Sequence, residues 1–530
     1  MVIEYNQPAL LSSLLREFSA CGAGLDMPCG GHGSCLKCRV TAVGALSPLC
    51  EREQQMLTEE EKAGGIRFAC LTTAMGDVTV TLPGAAEGQA ILGDTGAPVA
   101  VAPWEEIASL KQRSLGVSVD IGTTTIAAAL YDLKTGKMLA SDAAPNPQSV
   151  FGADVISRIT RSMAGEADAL AQSVRGCLLQ LCENLSALAF SQTGGNKADI
   201  AAIDILCITG NTAMLYLLCG YDLMDISAAP FEARHLFGTQ VDAEALGLGD
   251  MRAKVYLTRC ISAYVGGDIT SAILACGLEQ FDTKKNVFLV DVGTNGEMAL
   301  SVGGRILCCS TAAGPAFEGA GIAMGMQAAD GAIDRVWRED DDDGAVSCRV
   351  IGGGAARGIC GSGIIDAVAV MLDAGIVDET GLIVEDGHDY TDSIIEYHGD
   401  TAFLLPGTDI VITARDIRAI QLGKAAVCAG IFTLLAAAEV RMEQVDALLV
   451  AGGFGTYMDM RSAARIGLIP PALAGKARAV GNAAARGAAM TMLSREVLEK
   501  AETMPQKCET VDLSVHPVFM HQYVEQMMFE

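Results

Sequence analysis

Two stretches of the chain follow one plan, and that duplication limits the fold more than any other feature. LGVSVDIGTTTIAAALYDL (115–133) reads as an apolar strand, a turn at Asp120-Ile121-Gly122-Thr123-Thr124-Thr125 and a second strand, with a third in KMLASDAA. NVFLVDVGTNGEMAL (286–300) repeats strand, turn and strand around Asp291-Val292-Gly293-Thr294-Asn295-Gly296-Glu297. One D-x-G-T turn alone also makes an ordinary hairpin. Two of them, each bracketed by strands, predict two similar halves. Such a turn suits a phosphate. Glycine removes the side chain where the anion approaches, the next N–H groups and threonine hydroxyls donate to its oxygens, and the aspartate holds Mg²⁺ directly or through water.

A third element, DALLVAGGFGTYMDM, ends an apolar strand in Gly452-Gly453-Phe454-Gly455, a bend where a nucleoside can lie against bare backbone. Together the three resemble the phosphate-1, phosphate-2 and adenosine motifs of the superfamily that contains actin, sugar kinases and heat-shock chaperone ATPases. The resemblance implies an α/β fold in which two RNase H-like lobes clamp Mg-ATP. The lobes would span 116–285 and 286–530, the second with a C-terminal helical return. It also implies that GICGSGIID (358–366) packs a helix closely at the interlobe hinge. No G-x4-G-K-[ST] is present, so the chain is not a P-loop protein.

The N-terminal region carries a different chemistry. MPCGGHGSCLKCRV places Cys29, Cys35 and Cys38 in a C-x5-C-x2-C run, and Cys70 follows in IRFACLT. Three thiolates on one tight loop and a distant fourth describe an iron–sulfur pocket, and Gly30, Gly31 and Gly33 let the loop bend around a cluster. Structural zinc is the competing reading, but zinc usually gathers two close pairs and only Cys35 and Cys38 form one. The stretch resembles adrenodoxin-type ferredoxins, which implies a ferredoxin-like 2Fe-2S domain over residues 1–85 with these four cysteines as ligands. It departs from them in having only VIEY where a two-stranded hairpin would open the fold. ALLSSLLREF (9–18) and EREQQMLTEEEK (51–62) read as helices, DVTVTL (77–82) as a half-buried strand, and 86–115 as a Gly-, Ala- and Pro-rich linker.

Composition narrows the partners. A net charge of −27 argues against nucleic acid or an anionic membrane, both of which need clustered Lys and Arg. The N-terminus lacks a basic start followed by an apolar core, so no signal peptide is read and a cytoplasmic chain with reduced thiols is expected. The longest apolar helix candidate, 425–440, falls short of the ~20 residues of a membrane span and is read as a core helix. The adjacent Cys308 and Cys309 read as buried strand-end thiols, and REDDDDG (338–344) as a solvated loop. The six histidines, among them His32, His235 and His398, show no paired ligand spacing.

An electron carrier joined to this ATPase is a rare combination. The ordered series PCGGHGSCLKC, RFAC, DIGTTT, ITGNTAM (208–214), SAYVGGDI (262–269), DVGTNGE, AAGPAFEGAGI (312–322), GICGSGIID and AGGFG resembles the reductive activators of corrinoid-dependent methyltransferases over nearly the whole chain. That resemblance implies a reaction in an anaerobic setting. A corrinoid that has slipped from Co(I) to inactive Co(II) is returned to Co(I) by one electron from the 2Fe-2S cluster, with Mg-ATP making the transfer possible. The implied partners are a corrinoid protein and a low-potential electron donor, and a homodimer is compatible. The rivals are an ATPase activator of a radical dehydratase and a nucleotide-binding scaffold that merely carries a ferredoxin.

The candidate nucleotide contacts are Gly122, Thr123, Thr124, Thr125, Gly293, Thr294, Asn295, Gly452, Gly453 and Gly455, with Asp120 and Asp291 as the Mg²⁺-linked carboxylates. Asp268 is either a further carboxylate near the phosphates or an interdomain cap, and Glu297 either polarises the attacking water or caps a strand. Asn211 and Thr212 either cap a helix or meet the γ-phosphate. Ser310, on the loop 308–319, either offers an oxygen to cobalt or stands on a third side of the nucleotide cleft with Glu318.

Overall fold

The computed structural model describes residues 2–3, 9–11, 39–57, 59–81, 101, 114–152, 154–191, 200–249, 251–281, 283–319, 321–339, 345–453 and 458–529. Near the N-terminus, Val2–Ile3 (β1), Ala9–Leu10 (β2), Arg39–Leu46 (β3), Ile66–Phe68 (β4) and Thr73–Thr81 (β5) form one sheet of order β1-β5-β3-β4, with β2 also on β5. Val78 and Val80 face the core from β5, as their alternation required. Two local expectations fail. The helix expected over 9–18 does not include Ala9–Leu10, which are strand, while Leu11 is helical and 12–18 lie outside the described residues; 51–62 breaks into Glu51–Met56 (α1) and Glu59–Ala63 (α2) because Leu57 turns into the core. Cys29, Cys35, Cys38, Phe454, Gly455, most of the expected linker and the acidic run 340–344 lie outside the described residues.

The first repeat builds β6 (Leu115–Ile121), β7 (Thr125–Asp132) and β8 (Met138–Pro145), then the helix Val155–Arg161 (α3), β9 (Ile203–Gly210), the helix Thr212–Cys219 (α4), β10 (Thr239–Asp242), β11 (Lys254–Leu257) and the helix Gly267–Cys276 (α5). The sheet order is β10-β11-β9-β6-β7-β8. In the second repeat Val287–Val292 (β12), Gly296–Val302 (β13) and Arg305–Thr311 (β14) form the same antiparallel meander. An insertion follows: Ala332–Arg338 (β15), Val346–Val350 (β16), Gly358–Ile359 (β17), the helix Gly361–Asp373 (α6), a three-stranded sheet over 394–413 and the helix Ala414–Ala437 (α7). After Ile394–Tyr397 (β18), Asp400–Leu404 (β19) and Val411–Thr413 (β20) of the three-stranded sheet, the main sheet is extended in parallel by Ala447–Ala451 (β21) and Ala477–Gly481 (β22). The helix Ala483–Leu493 (α8) follows, and the edge strand Cys508–Thr510 (β23) closes the order β22-β21-β12-β13-β14-β23. The series β8-β7-β6-β9-β11 and β14-β13-β12-β21-β22 match strand for strand, with β9 and β21 parallel to the first strand of each hairpin. The duplication in the sequence is therefore a duplication of the sheet.

Helix α7 is longer than its apolar run. A reciprocal cap, Asp416 N–H to Thr413 Oγ1 at 3.2 Å and Thr413 N–H to Asp416 Oδ2 at 2.9 Å, starts it at Ala414. It is the single helix among the described residues long and apolar enough to span a membrane, and 78% of its apolar window is buried inside the protein. It serves as the core helix of the second lobe.

The hinge assignment is corrected. Helix α6 packs on β15 within the second lobe, where a Cβ at Gly361 or Gly363 would collide with the carbonyls of Phe317 and Ile333. The helices that cross between lobes are α5 and α8. Ile269 and Ile273 of α5 pack with Leu289 and Leu449 of the second sheet, whereas Ala488 and Met492 of α8 pack with Ile205 and Cys207 of the first. A Cβ at Gly487 of α8 would strike the Ser271 carbonyl of α5, so glycine is required at the crossing.

Candidate functional site

The first D-x-G-T turn is closed by Gly122 N–H to Thr125 O at 3.0 Å, and a Cβ at Gly122 would stand 2.7 Å from that oxygen. Its carbonyls are engaged from behind. Buried Asn146 donates through Nδ2 to Gly122 O at 2.8 Å and through its backbone N–H to Thr124 O at 2.8 Å. Arg158 of α3, fully buried, donates through Nη2 to Thr123 O at 2.6 Å and through Nε to Gly152 O at 3.0 Å. Burial pushes the Arg158 guanidinium down to about 10, while the charges of Asp154 and Glu318 oppose the fall, so it stays protonated at neutral pH. A turn whose carbonyls are held from the rear presents its donors to an anion. Asn211 caps α4, accepting from Met214 N–H at 2.9 Å, and its Nδ2 donates to Thr123 Oγ1 on the first turn at 3.4 Å. Thr212 instead donates to Ser262 O at 2.7 Å.

The second turn is held from the front. Gly293 N–H closes it on Asn295 O at 2.9 Å. Glu318, the last residue of the 3-10 turn Pro315–Glu318, accepts from Thr294 N–H at 3.1 Å, from the Thr294 hydroxyl at 2.9 Å and from the Thr124 hydroxyl of the opposite lobe. The two threonine hydroxyl oxygens lie 3.1 Å apart. One carboxylate thus bridges both hairpins on the donors a phosphate would use. A Cβ on Gly293 would lie 3.2 Å from Glu318 Oε1. Gly452, at φ +111°, abuts the same turn, since its Cβ would stand 2.5 Å from Val292 O and 3.1 Å from Asp291 Oδ1. Gly453 beside it is exposed.

Four further acids converge on the cleft. Burial raises Asp120 to about 6, restrained by Asn482 Nδ2, which donates to Oδ2 at 3.0 Å. Burial and the charge of Asp120 raise Asp268 to about 7 against the pull of the Ile269 N–H at 2.7 Å. Asp291 reaches about 8 through burial and then the charges of Asp120, Asp268 and Glu318. Glu297 is raised well above the usual carboxylate range by burial, Asp268 and Asp291. Ser310 lies directly opposite Glu297 in the β13–β14 register, so the loop that follows starts on the wall of this cleft and ends at Glu318 inside it. Groups that raise one another in this way discharge most readily against a cation, and the threonine donors beside them suit anionic oxygens. Asn146, Arg158 and Asn482 carried no motif that marked them in advance.

In the N-terminal sheet Cys70 is buried on the turn after β4. Buried Glu53 fixes that turn, accepting from Arg67 Nε and Nη2 at 2.9 Å each, Phe68 N–H at 3.2 Å and the Thr72 hydroxyl at 2.9 Å. Burial alone would raise the Glu53 carboxyl, but Arg67, the Cys50 N–H and Thr72 together hold it below its usual value. Cys308 and Cys309 are both fully buried on β14, and burial pushes the Cys309 thiol up, as expected of inert core thiols.

Comparison with known proteins agrees with this architecture. Residues 115–281 match the RACo middle region and residues 285–530 the C-terminal domain of RACo, the ASKHA domain. The corrinoid activation enzyme RamQ of Eubacterium limosum is 32% identical over 442 residues, which cover 78% of this chain and 70% of that protein. The [Co(II) methylated amine-specific corrinoid protein] reductase of Methanosarcina barkeri is 26% identical over 388 residues, 67% of this chain and 66% of that protein. The solved structure of a reductive activator for corrinoid, iron-sulfur protein superposes with a TM-score of 0.71 at 29% identity, covering 99% of this chain and 96% of that one. Similar to these proteins over most of its length, the chain belongs to the family of reductive activators of corrinoid proteins.

Proposed function

We propose that the chain is an ATP-driven enzyme that reduces the cobalt of a corrinoid protein from Co(II) to Co(I), one electron at a time. The observation that carries this reading is the bridge at Glu318, where one side chain holds the phosphate-type donors of both lobes, in a chain whose relatives are named for corrinoid activation and reduction. Nucleotide phosphates would take those donors, Thr124 and Thr294, with Gly122, Thr123, Thr125, Gly293 and Asn295 shaping the turns and Gly452 and Gly453 backing the nucleoside. Among the described residues no three His, Cys, Asp or Glu side chains gather as a direct metal-ligand set. Asp120 and Asp291 would hold Mg²⁺ through water, and its charge would offset the burial that raises both carboxyls and the repulsion that further raises Asp291. Asp268 and Glu297 are the candidates to orient the attacking water.

In this reading residues 1–85 are ferredoxin-like, and Cys29, Cys35, Cys38 and Cys70 are cluster ligands. The buried turn that Glu53 and Arg67 fix around Cys70 is the kind of shielded position a ligand thiolate needs. A 2Fe-2S cluster would supply one electron from near about −400 mV. A cobalt that must become a strong Co(I) nucleophile lies lower, and each ~59 mV uphill costs a factor of ten. The chain's task is then to bind the corrinoid protein in a form that is easier to reduce and afterwards release it, with closure of the lobes about the α5–α8 crossing as the coupled motion. Ser310, on the cleft wall, acts with Glu297 rather than on cobalt. An external low-potential donor and a homodimer complete the reading.

The test is anaerobic. The chemically reduced protein is mixed with a Co(II) corrinoid methyltransferase subunit, and the Co(I) absorption band is followed with and without Mg-ATP. ATP-dependent Co(I), lost in Cys35→Ser, is the expected result. Steady ATP hydrolysis with no Co(I) from any corrinoid partner would move the electron's target to another low-potential enzyme.

A further inference from the structure

The chain that leaves Glu318 runs to Asp330, and both ends of this strap are engaged. Near its start Gly319 and Gly325 approach so closely that a Cβ on Gly325 would collide with the Gly319 carbonyl. Met326 N–H donates to Ile359 O at 2.9 Å, and Ile359 N–H donates to Met324 O at 2.9 Å, which pins the strap to β17. At its far end Asp330 Oδ2 lies 3.1 Å from Arg39 Nε, with the side chains only 8% and 15% exposed. Arg39 also pairs with Glu61 of α2, and its guanidinium lies 5.5 Å from the centre of the Phe68 ring. Arg39 follows Cys38 in sequence, while Phe68, its register partner across β3 and β4, stands two residues before Cys70. One guanidinium therefore links the strand that follows Cys38, the strand that precedes Cys70 and the second lobe.

The second lobe is shaped to receive it. Gly352 and Gly353 adopt φ of +81° and +72°. A Cβ on Gly352 would stand 2.9 Å from Asp330 Oδ1, and one on Gly354 3.3 Å from Glu61 Oε1. A side chain at Gly354 would press on Glu61 and Arg39 of the N-terminal domain, and one at Gly352 on the Asp330 carboxylate that pairs with Arg39.

We propose that Arg39 and Asp330 are positioning residues for electron transfer: their ion pair seats the cysteine-bearing domain on the second lobe, and the strap 319–330 makes that seating depend on the nucleotide. The Glu318 carboxylate takes the Thr124 and Thr294 donors. A nucleotide phosphate needs the same donors and carries the same sign of charge, so it expels the carboxylate. The strap, pinned at β17, passes the displacement to Asp330, and a charge pair held in so dry a place responds steeply to a small change of geometry. The electron's destination rests on the function proposed above, whereas the seating itself requires no corrinoid.

Hydrogen exchange on the full chain tests the seating directly, comparing empty protein with protein saturated by a non-hydrolysable Mg-ATP analogue. In the native protein the nucleotide is expected to change exchange at Arg39–Leu46 and Ile66–Phe68 by roughly tenfold, equivalent to ~1.4 kcal/mol. Asp330→Arg and Arg39→Asp should each abolish that response and slow ATP-dependent Co(I) formation while leaving basal phosphate release unchanged, and the double reversal should restore the response. Should Asp330→Arg fail to fold, Asp330→Asn keeps the shape without the charge and is expected to lose the response too. A nucleotide response that survives in the single variants, is absent from the native protein, or is not restored by the double reversal would overturn the proposal. Absence of Co(I) with every corrinoid partner, beside an intact exchange response, would instead overturn the proposed electron acceptor alone.

Discussion

The two D-x-G-T hairpins share a sequence plan but are held by different means. The first is braced from behind by donors, Asn146 and Arg158, which occupy its carbonyls, while only its Thr124 hydroxyl is given to Glu318. The second is held from the front by an acceptor, Glu318, which occupies the donors themselves. Both turns meet Glu318, the first through the Thr124 hydroxyl alone and the second through both the N–H and the hydroxyl of Thr294.

The same asymmetry extends to the two aspartates. Asp120 shares its charge with Asn482, whereas Asp291 is raised by burial and three neighbouring acids. If Asp291 is the charge that most needs a cation, Asp291→Asn should lower phosphate release at saturating Mg-ATP by about 100-fold or more, and Asp120→Asn by clearly less. Equal losses would show that the lobes share the ion evenly and break the distinction.

The rear brace is tested by Arg158→Ala, which strands the carbonyls of Thr123 and Gly152 in a buried place. A loss of roughly 2–4 kcal/mol of unfolding free energy is expected in denaturant melts, along with a raised KM for ATP. A loss under ~1 kcal/mol would mean that the first hairpin is held by its own turn bonds and Asn146 alone.

How far this division could be read from the sequence depends on the range of the interactions. The hairpins, their glycines and the doubled sheet are local, written in strand periodicity and turn residues, and all were legible. The braces were not, because Asn146 at the end of β8 and Arg158 in α3 meet the turn only after the chain has folded back. The hinge was misassigned for a related reason. Small residues in GICGSGIID announce a close approach but not its partner, and GNAAARGAA of α8 carries the same signal at the true crossing. The early start of α7 was legible in VITARD, where Thr413 and Asp416 stand at capping-box spacing, but the apolar run beyond it drew the boundary too late.

The front brace is tested by Glu318→Gln. The amide keeps the size of the side chain but is a weaker acceptor, so a phosphate displaces it more easily. Nucleotide affinity by calorimetry should rise about tenfold, near 1.4 kcal/mol, while the empty protein melts lower because the lobes lose their bridge. Unchanged affinity would place Glu318 outside the phosphate seat, and the two hairpins would then be alike.

The smallest effect separates the aspartates by pH. Asp120, Asp268 and Asp291 titrate at about 6, 7 and 8 in the folded protein, against about 4 for an unfolded carboxyl. With the folded values raised, the native state holds more protons than the unfolded one between those limits. Stability of the empty protein is therefore fully present near pH 4 and is lost as pH rises towards 8. Bound Mg-nucleotide favours the ionised acids and should reverse the trend, so the rise in Tm on adding it is expected to be larger at pH 8 than at pH 6, by roughly 2–4 °C for each ~1 kcal/mol. Asp291→Asn should remove the part of the pH dependence nearest 8, and Asp120→Asn the part nearest 6. If both substitutions flatten the same part of the curve, the acids titrate as one shared group, and the difference between the lobes lies in how their threonine donors are held rather than in the charges of their aspartates.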